Sequence, residues 1–199
     1  MPLQNRVQPT GDIIASPLRG RYMGNRGILH SEQGELGHRR WRHKAWVCCV
    51  LSFKNRKRAV MTPGHYTELF FFDEAVALAA GHRPCAECRR ADYNRFCAAL
   101  NISPPISAFD SLLHQARAIP RIYGQRRHRA PLQNLPAGTF ILSDDGLPQL
   151  VLRDRLVPFL SNGYSTALKR PASGEVTVLT PPPLIAALNG GYVPAHAAT

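Results

Sequence analysis

Cys85 and Cys88 are the residues of this sequence whose type and spacing best suit chemistry. Two thiolates separated by two residues can both point at one tetrahedral metal ion, with the intervening backbone amides turned toward the sulfurs. A pair of buried structural cysteines and a redox dithiol are the alternatives. A redox pair usually follows a strand and opens a helix in a βαβ unit, and no such pattern surrounds this motif. The motif therefore predicts half of a zinc site.

Helix signals flank the two cysteines on both sides. Asp73 is a good N-cap, the alanine-rich residues after it favour a helix, and Gly81 stands where a left-handed C-terminal residue is needed. Pro84 then prevents further helix. A second helix is expected over residues 89–100, where apolar residues recur at near-helical spacing. Cys97 lies on that apolar stripe and is expected to be a small buried residue rather than a ligand.

A closed zinc site needs about four ligands, so two more must come from elsewhere. Cys48 and Cys49 are not expected both to reach one ion, because adjacent residues on a strand point to opposite faces. The alternation of Trp46, Cys48 and Val50 indicates the core face, which leaves Cys49 for the metal. His65 is the first choice for the fourth ligand, since it lies in a Pro-Gly loop before the strand that leads to the motif. His43 and His30 follow it, and His38 is a further candidate. His82 is too close to Cys85 for comfortable chelation and is expected to fill an aromatic packing site.

Positive charge is the second conspicuous feature, with a formal net charge of +12. Residues 39–58, the basic segment, contain eight cations and no acid, and they include Trp41 and Trp46. Cations beside indole rings suit a surface that follows phosphates and stacks on bases. The alternative is a solvated basic surface whose tryptophans belong to the core. The residues predicted to contact nucleic acid are Arg39, Arg40, Trp41, Arg42, Lys44, Arg56, Lys57 and Arg58.

Residues 71–89 resemble the second half of the N-terminal zinc domain of the Ada family. An aromatic strand leads to an alanine-rich helix, then to glycine, an aromatic residue and Arg-Pro-Cys-x-x-Cys. The resemblance implies a domain that binds zinc through four cysteines, contacts DNA and accepts a methyl group on a metal-bound thiolate. By position, Cys85 and Cys88 correspond to that family's second ligand pair. The first pair, Cys-x-x-x-Cys, has no counterpart, because Cys48 and Cys49 are adjacent and farther upstream.

The remaining patterns predict an α+β protein in three parts. Residues 1–20 are rich in turn signals and are expected to form a flexible arm. Residues 21–102 are predicted to be a small zinc-stabilised domain of β-hairpins and helices. A helix and a small antiparallel β region are expected over residues 103–199, where short β-rich runs alternate with turns such as Asp-Asp-Gly.

Three features of the sequence bear on where in the cell the protein is expected. No apolar run approaches the roughly 18 residues of a membrane span, and the first residues lack a signal-peptide core. Five cysteines at irregular spacing suit a reduced metal site better than a disulfide framework. We therefore expect a soluble cytoplasmic protein with no membrane partner and no disulfide-linked partner.

These features predict a zinc-binding, basic protein that binds nucleic acid, with DNA favoured over RNA and with a role in repair or regulation. The alternative is a metal-dependent enzyme that processes DNA, either as a thiolate alkyl acceptor or as a hydrolase. Glu68 and Glu87 are the acids nearest the expected site and could act as a base in the second case. A third interpretation makes the C-terminal β region a ligand-binding module, with the zinc region as an accessory.

Overall fold

A mixed β-sheet organises the first part of the chain. The computed structural model describes residues 2–55 and 59–198. Within them, the strands of this first sheet are β1 (Gln4–Val7), β2 (Ile13–Ala15), β3 (Tyr22–Asn25), β4 (Val47–Val50), β5 (Leu69–Phe71) and β6 (Arg83–Pro84). Their order across the sheet is β2–β1–β5–β3–β4–β6, and the pairs β1–β5 and β4–β6 are parallel.

The N-terminal residues belong to this sheet, which corrects the expectation of a flexible arm over residues 1–20. Val7 and Ile13 are buried in β1 and β2. The turn-rich stretch between them makes a tight hairpin, in which the amide of Gly11 donates to the carbonyl of Gln8 at 2.9 Å. Strand β5 holds this hairpin in the sheet by pairing with β1. Because β5 is distant in sequence, the turn signals of residues 1–20 do not indicate this pairing.

The described residues contain four α-helices, α1 (Glu74–Ala79), α2 (Arg90–Ala99), α3 (Ser107–Arg117) and α4 (Pro182–Asn189), and a short 3-10 helix, Leu132–Asn134. The predicted signals at the ends of α1 are confirmed. The Asp73 carboxylate accepts a hydrogen bond from the amide of Val76 at 2.9 Å, as an N-cap does. Gly81 follows the helix with a φ of +79°, a left-handed conformation that glycine adopts without strain. Cys97 is buried on α2, as predicted.

The C-terminal β region is antiparallel, as expected. A two-stranded ribbon of β7 (Ala118–Ile119) and β8 (Gly124–Gln125) precedes it. The strands of the second sheet are β9 (His128–Pro131), β10 (Phe140–Leu142), β11 (Pro148–Val151), β12 (Arg155–Leu160), β13 (Gly163–Tyr164), β14 (Leu168–Lys169) and β15 (Glu175–Val178). Their order is β13–β12–β11–β10–β15–β9, with β14 paired to β12.

Helix α1 joins the two sheets into one core. All of its side chains are buried, and Val76 belongs to the same apolar cluster as Phe71 of the first sheet and Phe140 of the second. A second cluster connects α1 to the other helices through Leu78, Phe109 and Leu184. The apolar core therefore runs across the boundary expected at residue 102. The fold is α+β, as the sequence predicted.

The N-terminus of α1 is hydrogen-bonded to residues that are distant in sequence. Glu74, the first residue of α1, accepts a hydrogen bond from the Tyr192 hydroxyl at 2.5 Å and another from the amide of Ala195 at 3.0 Å. The amide of Ala197 donates to Asp73 at 2.9 Å. These bonds add partners to two buried carboxylates, and they fix α1 against the residues that follow α4.

Two of the expectations concern disulfide bonds and membrane-spanning helices. All five cysteines are free thiols in the structure. In the ranges 2–55 and 59–198, no helix combines the length and the apolar content that crossing a membrane requires.

Candidate metal centre

Three of the cysteines meet at one point between the first sheet and α2. The sulfur atoms of Cys49, Cys85 and Cys88 all lie within 4.8 Å of one another. Cys49 is on β4, whereas Cys85 and Cys88 form the turn that connects β6 to α2, the cysteine turn. A metal ion bound here would therefore join a central strand to the start of a helix.

Strand pairing explains why Cys49 faces the cysteine turn and Cys48 does not. Strand β4 is the parallel neighbour of β6, and the amide of Cys85 continues this pairing by donating to the Cys48 carbonyl at 3.0 Å. The Cys48 side chain is fully buried in the apolar core, on the face opposite to Cys49. The alternation seen in the sequence thus predicted the correct member of the adjacent pair.

Buried ion pairs fix the cysteine turn from both ends. Before it, Arg83 forms a bidentate pair with Asp110 of α3, with both N–O distances at 2.7 Å. After it, Arg89 pairs with Glu74 at 2.8 Å and with Asp92 at 2.7 Å. Because these guanidinium groups are buried and fully engaged, the backbone between them has little freedom to move. The sulfurs are therefore held in position before any ligand arrives.

The local electrostatics make Cys85 the most acidic of the three thiols. The hydrogen bond from the Cys49 thiol lowers the pKa of Cys85 to about 5, and the amides of Cys88 and Glu87 add to this effect. The same hydrogen bond to Cys85, together with burial, raises the pKa of Cys49. Burial also raises the pKa of Cys88. Without a metal, the three sulfurs are thus linked by shared thiol protons. A cation that binds here must displace these protons.

The donor set suits a soft cation. Three thiolates favour Zn²⁺, Cu(I) or iron–sulfur chemistry over the hard cations Mg²⁺ and Ca²⁺. Tetrahedral Zn²⁺ with Zn–S bonds of about 2.3 Å places its sulfurs about 3.8 Å apart. The separation of the three sulfurs, at most 4.8 Å, needs only a small adjustment to reach that geometry. The residues present therefore fit a zinc ion, with three protein ligands in the described part of the chain.

A cavity of about 490 Å³ adjoins the three cysteines. Its walls are mainly apolar, and Met23 of β3 lies in it beside Cys49, its cross-strand neighbour. Two acids also line it. Glu68 is buried and accepts a hydrogen bond from the Met61 amide at 2.7 Å, whereas Glu87 is exposed on the cysteine turn. The apolar lining residues include Met23, Val50, Leu51, Phe53, Val60 and Phe70.

His65, the expected fourth ligand, is not part of this group. It is exposed, and its Nδ1 lies 3.1 Å from the carbonyl oxygen of Pro63 in its own loop. The prediction used only closeness in sequence to β5, and the loop turns the imidazole elsewhere. Among the other candidates, His30 is hydrogen-bonded to Thr67 at 2.6 Å. His82 packs against Phe71, the aromatic role that the sequence indicated.

The basic segment lies mostly at the surface. Arg39, Arg42 and Lys44 are exposed, and Arg40 and Trp41 are half-buried. Trp46 is buried, as its place in an apolar run suggested. The other three predicted contact residues, Arg56, Lys57 and Arg58, lie outside the described residues.

Sequence reasoning missed two features of the site. The first is the contribution of β3 to the cavity, through Met23 and Asn25. The second is a pair of buried arginines, Arg26 and Arg117, beside Trp46. The register between β3 and β4 places Met23 and Asn25 at the cavity, and no local sequence pattern indicates this register. The second had no signal, because arginine in a sequence normally indicates an exposed position.

Comparisons with known proteins add no family. No family model, no curated protein and no solved structure matches the chain. The resemblance of residues 71–89 to the Ada-type zinc domain thus stays a prediction. The function has to be inferred from the geometry of the site.

Proposed function

We propose that this protein binds Zn²⁺ through Cys49, Cys85 and Cys88 and uses its basic surface to bind nucleic acid, DNA rather than RNA. The observation that supports the proposal is the convergence of three sulfurs from two separate elements. The zinc stabilises the junction of β4, the cysteine turn and α2. A role in DNA repair or regulation would combine this metal centre with the cations of residues 39–58.

The nucleic-acid part of the proposal rests on charge and exposure. Arg39, Arg42 and Lys44 extend into solvent beside the half-buried ring of Trp41. Guanidinium and ammonium groups bind phosphates, and an accessible indole face can stack on a base. The net charge of +12 favours a polyanionic partner over a neutral one.

Cobalt substitution tests the metal site directly. We expect the protein to bind one Co²⁺ and to give a thiolate-to-cobalt charge-transfer band together with the intense visible bands of tetrahedral cobalt. One equivalent of Zn²⁺ should remove both. The Cys49→Ser variant should lose about a third of the charge-transfer intensity, because one of three sulfur ligands is replaced. A Cys48→Ala variant is the matched control, and unchanged spectra in Cys49→Ser would contradict the proposal.

A second candidate function is metal-dependent processing of DNA, and the cavity beside the cysteines favours it. Zinc sites that only stabilise a fold are closed by four protein ligands, whereas reactive sites keep a position for substrate or water. Here the described residues supply three sulfurs, and the cavity adjoins them. Glu68 and Glu87 line the same cavity and provide carboxylates for a hydrolase.

Cys49 is the sulfur best suited to accept an alkyl group. The amide of Glu87 donates to the Cys85 sulfur at 3.4 Å, and the amide of Val50 donates to the Cys88 sulfur. Hydrogen bonds of this kind reduce the nucleophilicity of a thiolate. In the transfer, the Cys49 sulfur forms a bond to the methyl carbon of a methyl phosphotriester. The carbon–oxygen bond breaks, and the electron pair leaves with the phosphodiester anion.

Mass spectrometry separates the two candidate functions. After incubation of the zinc-loaded protein with DNA that carries a methyl phosphotriester, the alkyl-acceptor function predicts one added methyl group on Cys49. The Cys49→Ser variant should gain none. Protein that binds the DNA but stays unmodified would rule out alkyl transfer. Intact DNA in the same incubation would also rule out hydrolysis and leave the zinc structural.

A further inference from the structure

Two arginines without acidic partners lie beside Trp46: Arg26, which follows β3, and Arg117, the last residue of α3. Arg26 and Arg117 have 2% and 1% of their surface exposed. Their guanidinium carbons lie 4.2 Å and 3.7 Å from the centre of the Trp46 ring. Cation–π contacts of this kind stabilise a buried guanidinium, but they do not neutralise its charge.

The hydrogen-bond partners of both arginines are neutral. Arg26 donates to the carbonyl of Ala80 at 3.3 Å and to the His82 ring at 3.3 Å. Arg117 donates to the carbonyls of Gly81 and Lys44, and its Nε has no partner in the described structure. Within residues 2–55 and 59–198, neither guanidinium forms an ion pair with a carboxylate.

Two uncompensated charges in one buried site are costly. Burial lowers the pKa of Arg26 to about 9, which still leaves it charged at neutral pH. Burial and the neighbouring Arg26 charge also lower the pKa of Arg117. Native proteins normally balance such charges with a carboxylate or a bound anion. Two acids attract these arginines without pairing with them. Asp12 attracts Arg26 but is opposed by the charge of Arg40. Asp110, which attracts Arg117, is already paired with Arg83.

A small cavity lies against these arginines. It has a volume of about 50 Å³, and Arg26, Arg40 and Arg117 line it together with Asp12 and Tyr123. A water needs roughly 10–15 Å³ of such volume, so the cavity has space for a few waters or one group of similar size. Three cations against one acid leave a net positive lining. We call it the anion cavity.

We propose that the anion cavity binds a single phosphate group through Arg26, Arg40 and Arg117. Guanidinium groups match phosphate oxygens in a bidentate manner, and the unpartnered Nε of Arg117 supplies a donor that no protein group uses. The phosphate can come from free inorganic phosphate or from the terminal phosphate of a nucleic acid.

The position of the cavity connects it to the basic segment. Arg40 and Trp41 line the anion cavity and also belong to residues 39–58. The ring of Trp41 packs 4.8 Å from that of Tyr123 at the same cavity. A nucleotide whose terminal phosphate enters the cavity would thus meet the exposed cations of the basic segment with the rest of its backbone. The proposal does not depend on the metal centre.

Thermal unfolding with inorganic phosphate tests the proposal. In zinc-loaded protein at constant ionic strength, phosphate at about 100 times its Kd should raise Tm by about 5–10 °C relative to chloride. The Arg117→Met variant should not respond to phosphate, whatever its Tm in chloride, because it removes one of the three guanidinium groups that line the anion cavity. The Arg153→Gln variant, which changes an exposed arginine in the β11–β12 turn, should respond as the wild type does.

A second variant keeps the test decisive if Arg117→Met does not fold. Arg40 is only half-buried and bonds to carbonyls of its own loop, so Arg40→Gln should fold and lose at least tenfold in phosphate affinity. Calorimetric titration of the wild type, Arg40→Gln and Arg153→Gln with phosphate measures this loss. A wild type that responds equally to phosphate and chloride, or an Arg40→Gln variant with unchanged affinity, would overturn the proposal.

Oligonucleotides then distinguish the two sources of phosphate. If the ligand is a nucleic-acid end, a 5′-phosphorylated single strand should bind at least tenfold more tightly than the same strand with a 5′-hydroxyl, and Arg40→Gln should abolish the difference. If the ligand is free phosphate, the two strands should bind equally while phosphate alone still raises Tm. Both results support the anion cavity, and they assign different ligands to it.

Discussion

Replacement of Cys88 by serine is expected to remove most of the stability of the fold around the metal centre. Structural zinc contributes on the order of 10 kcal/mol, which is comparable with the roughly 5–15 kcal/mol that stabilises a whole domain. Cys88 lies in the cysteine turn just before α2, whereas Cys49 lies on β4, so an ion bound by both would connect this turn to the sheet. Without it, we expect the protein to unfold at a clearly lower temperature, because the first sheet shares one apolar core with α1 and the second sheet.

Metal analysis and melting curves check this expectation together. Wild-type protein purified without chelators should contain one zinc per chain, and a chelator should lower its Tm. The Cys88→Ser variant should contain little zinc and melt like the chelated protein. Cys97→Ala is the matched control, since Cys97 is buried on α2 outside the group of three and its loss should cost about 1 kcal/mol. Zinc-free wild-type protein, or Cys88→Ser with unchanged melting, would contradict the expectation.

Nucleic-acid binding is expected to depend steeply on salt. If the basic segment makes about six phosphate contacts, affinity should fall about 1,000-fold between 50 and 200 mM salt, because each contact releases counterions. Charge reversal at Arg40, Arg42, Arg56 and Arg58 should weaken binding most and flatten the salt dependence. Reversal of the exposed residues Arg153, in the β11–β12 turn, and Arg155, at the start of β12, is the control. It makes half as many charge changes and lies outside the basic segment.

Filter-binding titrations with DNA and with RNA measure both effects. We expect DNA to be retained at low salt and the four-residue reversal to lose most of that retention, while reversal of Arg153 and Arg155 leaves it nearly intact. Tighter binding of RNA would correct the preference for DNA. No retention of either nucleic acid at low salt would mean that the basic surface serves another partner.

The parts of the fold that the sequence predicted are those that local signals specify. The Asp73 cap and the left-handed Gly81 determine the ends of α1 without help from distant residues. Strand alternation was enough to choose Cys49 over Cys48, because the two faces of β4 differ in burial. Each of these predictions needed only a few neighbouring residues.

The parts that were wrong or missed depend on contacts between distant segments. Strand β1 forms because β5 accepts it as a parallel neighbour, which the turn-rich N-terminal sequence does not reveal. His65 was chosen for its place before β5, but the direction of its loop determines where the ring points. Arg26 and Arg117 can be buried because carbonyls just after α1 accept their hydrogen bonds. The sequence around an arginine does not indicate whether such distant carbonyls are available to it.

The hydrogen bonds between the start of α1 and residues 192–197 join two segments that the ribosome synthesises far apart in time. Ala195 and Ala197 lie 121 and 124 positions after the carboxylates they bind. Glu74 also pairs with Arg89, which directly follows Cys88. A ribosome therefore finishes all three cysteines long before it delivers the residues that satisfy Glu74 and Asp73. The start of α1, which holds Arg89 beside the cysteine turn, therefore gains its full set of hydrogen-bond partners only when Ala197 has been added to the chain.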